Sequence, residues 1–503
     1  MTTTEDRSTT STFRGTSEVG APRLAGLPGV TRDEAVPVEV SEIERYDTDD
    51  SRLTAAGIRL TLRRDGDGGP DDAGRWQLDL PDGDAVEVLS VPLPPGAGAV
   101  PAVPAELDEL VHGVSRDRAL RAAGRVRTVR TATRLLAARG RLLATVVHDE
   151  VTLATLGRST EVQGWSEVAL LPAVADATLL AALVERVVES GMHPAAPAGE
   201  AELDRLLRPV VRRRPVTRAG TAGRAVHDYL SVQVGRLAAE DLRVRRGEPD
   251  AVHQLRIAAR RLRSALRSFR PLLDRDRTDP LVDSLRALAR ELAPARDAEV
   301  LRERITAGLD ALPPALLLGP VQAQVTRHFA RAEAEAYAAV LSALDGGSYI
   351  ALRRGLDDLV ERPPLTGRAS AKAAKALPPL VARCVGRLDR TMDAALAGDD
   401  VAIHTARKAA KQLRYATEVA RPVAGKPAVR FANGLKGVQR ALGEHQDTVV
   451  ARETLRELGA RAENGFSFGV LLGQDAARAA VIEAELEPTW GAMRSKKLRR
   501  WLS

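Results

Sequence analysis

Two kinds of hydrophobic pattern divide the chain. Between about residue 21 and residue 208, short segments alternate apolar and polar residues and are separated by turns rich in Gly and Asp, as in GIRLTLRRDGDGGPDDAGRWQLDL. A second segment of this kind surrounds the turn at Ala138 to Gly140. The stretch DATLLAALVERVVESG adds a helix near the end of the region. We therefore predict a mainly antiparallel β domain with a few helices at 21–208.

From residue 220 to residue 495 the apolar residues recur at intervals of three and four, which predicts helices. The stretches LPPALLLGP, DGGSY, ERPPLTGRAS and RPVAGKP mark breaks between these helices. Residues 209–219 lack periodicity and are interpreted as a basic linker. Residues 1–20, rich in Thr, Ser and Gly, are predicted to form a disordered leader. Residues 496–503 are predicted to form a solvated basic tail; the alternatives are that it lies on a membrane surface or extends the anion-binding surface. The fold class predicted is α+β multidomain.

The helical region contains an internal repeat. VHQLRIAARRLRSAL, which starts at Val252, aligns without gaps to IHTARKAAKQLRYAT, which starts at Ile403, with seven identities in 15 positions. A second match follows each copy, LARELAPARDAEVL from Leu288 and LKGVQRALGEHQDTVV from Leu435. Repeats about 150 residues long exceed the unit of a solenoid, so we predict two related helical bundles packed as one domain.

Each copy of the repeat predicts a helix with one cationic face and one apolar face. At 100° per residue, the basic residues of the first copy fall within roughly a 100° arc, and the second copy behaves alike. The first basic face consists of His253, Arg256, Arg260, Arg263, Arg267 and Arg270, opposite Leu255, Ala258, Leu262, Leu266 and Phe269. The second basic face consists of His404, Arg407, Lys411 and Arg414, flanked by Lys408 and opposite Ala406, Ala409 and Leu413.

These faces indicate a ligand with repeated oxyanions. Neither face contains an acid, whereas a solvated helix face normally mixes both signs because Glu and Lys pairs stabilise it. A guanidinium donates two hydrogen bonds to one phosphate and stays charged at every relevant pH. A plain solvated surface, or ion pairs with acids of neighbouring helices, is the alternative. His253 and His404 either add charge as the pH falls or pack at the start of each helix.

Nucleic acid is a less suitable ligand for the basic faces. Proteins that bind single strands place aromatic side chains among the cations so that bases stack on them. Aromatic residues are only 3% of this chain, and no helix-turn-helix, zinc-finger or RNA-binding strand motif occurs. A ligand made only of phosphate accounts for both observations, so we expect no sequence-specific nucleic-acid partner.

At the repeat the sequence resembles the CHAD domain, an α-helical family of two related bundles around a basic surface. The resemblance covers residues 220 to 460 and rests on VHQLRIAARRLRSAL, LAPARDAEVL, IHTARKAAKQLRYATE and LKGVQRALGEHQD. It implies binding of inorganic polyphosphate by the two basic faces, association with polyphosphate granules, and no catalysis. Arg290 and Lys436 are additional binding residues on this reading. Asp297 and Asp447, at the same place after each basic face, are interpreted as residues that orient an arginine or cap a helix.

The N-terminal region resembles the CYTH domain, which has the triphosphate-tunnel fold. The resemblance rests on YDTDDSRLTAAGIRLTLRR, GRWQLDLP, VRTVRTATRLL and the strands VHDEV and GWSEVAL. It implies an antiparallel sheet that forms a tunnel or barrel. Arg59 and Arg63 alternate on one strand face, while Arg127 and Arg130 fall on opposite faces. These four arginines are the phosphate contacts that the resemblance implies for the tunnel.

The residues of metal-dependent hydrolysis are incomplete in this region. Family members that hydrolyse triphosphates carry two glutamates and a lysine at alternate positions of the first strand, where they hold a divalent metal and phosphate. SEIERY offers Glu42 and Glu44, with Tyr46 in place of the lysine. We assign Tyr46 to a later strand and expect the first strand near FRGTSEVGAPRLAG, which lacks the triad. Asp79 stands where lysine usually follows the tryptophan, and Glu167 lacks its acidic partner.

We therefore predict a catalytically degenerate CYTH-like domain without metal or cofactor. The alternative is a metal-dependent triphosphatase or polyphosphatase that uses Mg or Mn and receives its substrate from the helical domain.

The composition of the chain indicates its class and its cellular compartment. The chain has 503 residues, of which 44% are hydrophobic and 28% charged, and a net charge of +7, so the position of the cations matters more than their total. The single cysteine, Cys384, excludes an intramolecular disulfide and is interpreted as a buried thiol in a reducing compartment. No run of 18 apolar residues or signal peptide occurs. We expect a cytoplasmic protein, on polyphosphate granules, without stable membrane insertion.

Overall fold

The structure is a computed structural model, and it describes residues 10–66, 74–82, 85–94, 96, 98, 100–157, 160–208, 217–397 and 400–502. The chain forms two compact units, Met1–Arg212 and Arg213–Ser503. The first unit is an antiparallel sheet with short helices and the second is helical, so the predicted α+β architecture is confirmed. The division falls within the predicted linker at 209–219, of which 209–216 lie outside the described residues.

The described strands of the first unit form one antiparallel sheet. They are β1 (Ser11–Thr16), β2 (Arg32–Asp47), β3 (Arg59–Asp65), β4 (Gly74–Asp82), β5 (Ala85–Pro92), β6 (Arg121–Leu136), β7 (Leu142–Thr155), β8 (Val162–Pro172) and β9 (His193–Pro194). Their order is β5-β4-β3-β2-β6-β7-β8-β1-β9. The two predicted hairpins are confirmed as the pairs β3–β4 and β6–β7. The turn of the second hairpin holds Arg139 at φ 64°.

Helices cover both faces of this sheet. The helices of this unit are α1 (Arg52–Ala55), α2 (Ala105–Ser115), α3 (Ala177–Glu189) and α4 (Gly199–Leu207). The predicted helix α3 begins at Asp176, whose carboxylate accepts hydrogen bonds from two backbone amides of its first turn. It packs against Val168 of β8, whereas Leu203 of α4 packs against Trp165 of the same strand. Because side chains alternate along a strand, α3 and α4 lie on opposite faces of the sheet.

One prediction about the first strands is wrong and two are confirmed. Ser11–Thr16 of the predicted disordered leader form β1, because their backbone pairs with β8 and β9 and Phe13 is buried in the core; residues 1–9 lie outside the described residues. The assignment of Tyr46 to a strand later than the first is confirmed, because Tyr46 lies with Glu42 and Glu44 on β2. The expectation of an earlier first strand near Phe13 is confirmed.

The second unit consists of helices separated close to the predicted breaks. They are α5 (Ala222–Arg245), α6 (Ala251–Ser268), α7 (Arg275–Glu291), α8 (Ala293–Asp310), α9 (Val321–Asp345), α10 (Gly347–Glu361), α11 (Ala373–Ala397), α12 (Asp400–Arg461), α13 (Phe466–Met493) and α14 (Lys496–Arg499). None of the described helices combines the length and the apolar character that a membrane span requires.

The long helix α12 is a hairpin of two arms. Its backbone leaves helical geometry at Gly425, with φ 61° and ψ −141°, inside the predicted break RPVAGKP. Arg407 and Asp447 lie 40 residues apart on α12, which is about 60 Å along a straight helix. Their side chains nevertheless approach to 3.4 Å. Residues 400–424, the first arm, therefore pack antiparallel against residues 426–461, the second arm.

Both copies of the repeat contribute to one core. The predicted apolar face of α6 is buried, with Leu255 and Leu262 fully so. Ala406 and Leu413 of the first arm are equally inaccessible and belong to the same cluster. The predicted burial of Cys384 is also confirmed. A smaller cluster around Phe468 joins α8, α9 and α13 to the end of the second arm.

The prediction of a solvated tail at 496–503 is wrong for the residues that the structure describes. Leu502 is buried in the main core, and the ring of Trp501 meets Phe431 edge to face at 5.8 Å. Arg499 forms a two-point ion pair with Asp389 of α11 at 2.9 Å. Burial of the apolar residues that alternate with the cations holds this segment on the domain.

Candidate functional site

The two basic faces come together because α6 and the first arm of α12 pack side by side. Ser264 on α6 donates a hydrogen bond from Oγ to the backbone oxygen of Gln412 at 3.4 Å. The amide of Gln412 donates in return to Ser268 Oγ at 3.3 Å. Arg261 Nε lies 3.2 Å from Glu418 Oε2 and its guanidinium lies over the ring of Tyr415. These contacts fix the register of the two helices.

Five cations meet at this helix pair and are called the central cluster: Arg256, Arg260, Arg407, Lys411 and Arg414. Burial and the neighbouring arginines lower the pKa of Arg260, although the Tyr415 hydroxyl acts in the opposite direction. Burial, then Arg407 and Arg260, lower the pKa of Lys411 to about 7. Among the residues that the structure describes, no carboxylate oxygen lies within 4.0 Å of the cationic nitrogens of Arg260 or Lys411.

Two members of the central cluster are held by acids at equivalent places of the repeat. Arg256 Nη1 lies 3.2 Å from Asp297 Oδ1 and donates to the backbone oxygen of Ala293 at 3.1 Å. Arg407 Nη2 lies 3.4 Å from Asp447 Oδ1. The interpretation of both aspartates as residues that orient an arginine is thus confirmed by the geometry. The buried Nε of Arg407 donates no hydrogen bond to any described residue.

A second group of cations continues the first basic face and is called the outer cluster: Arg263, Arg267, Arg286 and Arg387. Burial and these neighbours lower the pKa of both Arg263 and Arg267. No described carboxylate oxygen lies within 4.0 Å of either guanidinium. Sequence reasoning missed Arg286 on α7 and Arg387 on α11, because they lie outside the repeated motif and only the fold brings them to α6.

Other predicted residues lie beside these clusters rather than within them. Arg270 starts a short 3₁₀ turn after α6 and forms an ion pair with Asp279, so it does not continue the first basic face. Arg290, Lys408 and Lys436 are exposed. Lys408 adds to the positive charge near His404.

The two histidines pack at the helix starts. The Nδ1 of His404 shares a hydrogen bond with the side-chain oxygen of Gln446 on the second arm. Burial first, and then Arg296, lower the pKa of His253. Burial also lowers the pKa of His404, against the effect of Gln446. Their protonation is therefore displaced to lower pH, which favours the packing interpretation over that of added charge.

The first unit contains an open cavity of about 690 Å³ on the face of the sheet that α4 covers. Its lining comes from β2, β3, β4, β6, β7, β8 and the start of α4, so the sheet curves around this space. Arg63 and Arg130 are among the lining residues. Arg127 lies three positions from Arg130 on β6 and thus on the other face, as predicted.

Carboxylates partner the predicted tunnel arginines on the cavity face. Glu200 of α4 accepts two hydrogen bonds from Arg63, at 2.8 and 3.0 Å. Arg59 lies 3.1 Å from Asp79 and 3.4 Å from Asp204 of α4. Arg130 forms a two-point ion pair with Asp149 at 2.8 Å. Carboxylates of the chain itself therefore pair with these arginines, and two of them, Glu200 and Asp204, lie on α4.

Sequence reasoning missed a further arginine, Arg45, on β2. Its side chain is 1% exposed, and its Nη1 lies 2.6 Å from Asp204 Oδ1. Its Nε and Nη2 donate no hydrogen bond to any described residue. Asp204 therefore carries most of the compensation for a buried charge.

The acids of the predicted hydrolysis motif have structural partners. Arg125 on β6 lies 3.4 Å from Glu42 and forms hydrogen bonds with Glu44. Burial, and then Glu44, raise the pKa of Tyr46 to about 12. Glu167 accepts hydrogen bonds from the indole of Trp165 at 2.7 Å and from the backbone amide of Ala198 at 3.0 Å. None of these carboxylates belongs to the metal-ligand grouping found among the described residues, which is Asp400, His445 and Glu483.

Known proteins resemble the helical unit and the chain as a whole. The CHAD domain profile matches residues 228–456. The Uncharacterized protein MT2285 of Mycobacterium tuberculosis (strain CDC 1551 / Oshkosh) is 32% identical over 495 residues, which cover 93% of this chain and 92% of that protein. This relative therefore spans both compact units.

Two solved structures resemble part of the chain. PptA from Streptomyces chartreusis is 23% identical with a TM-score of 0.46, and the match covers 54% of this chain and 99% of that chain. The CHAD domain from the plant Ricinus communis is 24% identical with a TM-score of 0.44, and the match covers 55% of this chain and 93% of that chain.

Proposed function

Because the chain belongs to the CHAD domain family, we propose that its helical unit binds inorganic polyphosphate along the central and outer clusters. The observation that carries this proposal is the central cluster itself. Two helices that are about 150 residues apart in sequence bring five cations together, and no described carboxylate reaches Arg260 or Lys411. Like charges at this spacing destabilise the free protein, and a polyanion reverses the sign of that interaction.

The shape of the basic surface favours a polymer over a single phosphate. Arg256 and Arg267 are 11 residues apart on α6, or about 16 Å along its axis. A ligand that satisfies both must carry oxyanions over this length. The arginines suit closely spaced phosphates, because each planar guanidinium donates two parallel hydrogen bonds to one group. Polyphosphate granules in the cytoplasm are the location that this proposal implies.

Charge reversal of one arginine in each basic face tests the proposal. The double variant Arg256→Glu with Arg407→Glu should lose retention of labelled polyphosphate while its far-ultraviolet circular dichroism stays unchanged. The matched control is Arg331→Glu with Arg461→Glu, which makes the same change in net charge at exposed arginines outside the clusters. Equal retention by the two double variants would contradict the proposal.

Competition separates polyphosphate from nucleic acid as the ligand. Both anions release counterions on binding, so the comparison requires equal phosphate concentration and fixed salt. Unlabelled polyphosphate should displace the labelled probe, while single-stranded DNA should displace much less, because neither cluster offers aromatic side chains for base stacking. Equal displacement would favour a nonspecific nucleic-acid surface.

We further propose that the sheet unit is a degenerate CYTH domain without hydrolytic activity. The arginines of its cavity face are neutralised by Glu200, Asp204 and Asp149, and Glu167 is engaged by Trp165. No phosphate should be released from tripolyphosphate with Mg²⁺ or Mn²⁺. Turnover that disappears in Glu167→Gln would instead favour a metal-dependent triphosphatase that receives its substrate from the helical unit.

A further inference from the structure

Lys411 differs from the other members of the central cluster in its chemistry. It occupies the position in the second copy of the repeat that Arg260 occupies in the first. The charged groups that act on it are Arg407 and Arg414 from its own arm of α12, Arg260 from α6, and Asp447 from the second arm. Lys411 in turn contributes to lowering the pKa of His404, which lies seven residues before it on the same helix. Arg407 and Arg414 lie four residues before and three residues after Lys411, on the same face of the first arm. The neighbouring Gln412 contacts Ser264 and Ser268, so α6 packs beside Lys411 and brings Arg260 to it. No described carboxylate oxygen lies within 4.0 Å of its ammonium.

An ammonium and a guanidinium respond differently to such surroundings. A guanidinium keeps its proton in any protein environment, whereas the ammonium of a buried lysine loses its proton when neighbouring cations destabilise the charged form. Burial is the largest cause of the lowered pKa of Lys411, and Arg407 and Arg260 come next. Of the five cations in the central cluster, Lys411 is the one that can relieve the repulsion by becoming neutral.

We propose that Lys411 releases its proton in the free protein and takes one up when a polyanion binds, so that anion binding is coupled to proton uptake at this residue. The inference rests on the proposed polyphosphate binding. A bound chain of phosphates places negative charge against the ammonium and replaces the repulsion of Arg260, Arg407 and Arg414 with attraction. The bound state therefore favours the protonated lysine.

The direction of the pH dependence follows from linkage. Below the pKa of about 7, Lys411 carries its proton in both the free and the bound protein, and binding takes up none at this residue. Above it, the free protein lacks the proton that the complex holds. Affinity should then fall with rising pH, by at most about tenfold per pH unit for one linked proton.

Isothermal titration calorimetry in buffers of different ionisation enthalpy measures this proton directly. The probe is long-chain polyphosphate added to the full chain at pH 6 and pH 8.5, in parallel with two variants. The wild type should take up clearly more protons at pH 8.5 than at pH 6. In Lys411→Arg the extra uptake should vanish while binding persists. In the control Lys426→Arg, which alters an exposed lysine of α12 outside both basic faces, the uptake should match the wild type.

The terminal phosphates of the probe also titrate near neutral pH, but they contribute equally to all variants and cancel in the comparison. If Lys411→Arg misfolds, Lys411→Met supplies the same test, since methionine does not titrate. Uptake by either variant equal to that of the wild type would overturn the inference. Absence of binding by the wild type at both pH values would instead contradict the proposed function.

Discussion

Arg407 and Asp447 meet across the two arms of α12 at 3.4 Å, and Arg256 and Asp297 repeat the contact at 3.2 Å between α6 and α8. The partners are 40 residues apart in one copy and 41 in the other, so the duplication extends from sequence to side-chain geometry. In each copy one arginine of the central cluster is oriented by an aspartate. Arg414 lies 3.7 Å from Glu418, whereas no described carboxylate oxygen lies within 4.0 Å of Arg260 or Lys411. The aspartates therefore act on two properties at once, the orientation of the arginine and the charge that it presents.

Replacing these aspartates by asparagine separates the two properties. Asparagine keeps an oxygen that accepts from the guanidinium and removes only the negative charge. We expect Asp447→Asn and Asp297→Asn each to tighten polyphosphate binding by about two- to fivefold at low salt, since partly exposed ion pairs contribute up to about 1 kcal/mol. Titration of labelled polyphosphate measures the change. Asp447→Ala, which also removes the orienting acceptor, should tighten binding less than Asp447→Asn, and weaker binding by both asparagine variants would contradict the expectation.

The Arg260 side chain should destabilise the free protein and strengthen polyphosphate binding. It lies among Arg256, Arg407 and Arg414 without a carboxylate within 4.0 Å among the described residues. We expect Arg260→Gln to raise the free energy of unfolding of the helical unit by up to about 1 kcal/mol, because like-charge repulsion is removed. The same variant should bind polyphosphate more weakly. Urea unfolding followed by helical ellipticity gives the first quantity, with Arg331→Gln as the control that shows no gain. A destabilised Arg260→Gln would show that this guanidinium has a structural role.

Asp204 should be essential to the sheet unit. Its carboxylate lies 2.6 Å from Nη1 of the buried Arg45. Removal of one partner from a buried ion pair typically destabilises a protein by about 3–5 kcal/mol, so Asp204→Asn should strongly destabilise this unit, with the lower end expected since Asp204 is partly exposed. Hydrogen exchange measured by mass spectrometry should show faster exchange in β2 and β6 and no change in the helical unit. Glu202→Gln removes an acid of the same helix that pairs with the exposed Arg205 instead of a buried arginine, and it should leave exchange unaltered.

The C-terminal segment should stabilise the helical unit. Leu502 is buried in the main core, whereas Lys497 on the same segment is exposed. We expect Leu502→Ala to lower the free energy of unfolding by about 2 kcal/mol, since burial of a leucine side chain contributes about 1.5–3 kcal/mol. Lys497→Ala should leave the urea midpoint unchanged. Indistinguishable midpoints for the two variants would mean that the segment detaches from the core in solution.

The helices and their basic faces were predictable because one periodic signal encodes both. A helix that buries Leu255 and Leu262 must present Arg256, Arg260 and Arg263 elsewhere, and the absence of acids between them is visible in the sequence. The internal repeat then predicted the second basic face. Hairpins were predictable for the same reason, since alternation and glycine-rich turns are local properties.

Features that depend on distant contacts were not predictable. Arg286 and Arg387 join the outer cluster only through the packing of α7 and α11 on α6. β1 contains few apolar residues and forms because β8 offers it unpaired backbone groups. The C-terminal tail contains more cations than apolar residues, and this composition predicts a solvated segment. The burial of Trp501 and Leu502 against the core depends on contacts with distant residues. Likewise, the sequence did not predict that Asp204 and Glu200 of α4 pair with Arg45 and Arg63.

The turn at Gly425 has a consequence for the order in which the site is assembled. It brings Asp447 back to Arg407 within one hairpin, and the helix pairs that follow α6 bring Asp297 to Arg256 over a similar stretch. Each half of the site is therefore built from contacts of low sequence separation, which form quickly in folding chains. The two halves join only when α6 meets the first arm of α12, across about 150 residues of chain. We expect this long-range step to come last, so that the complete cluster of cations exists only in the finished domain and a nascent or partly unfolded chain does not capture polyanions with it.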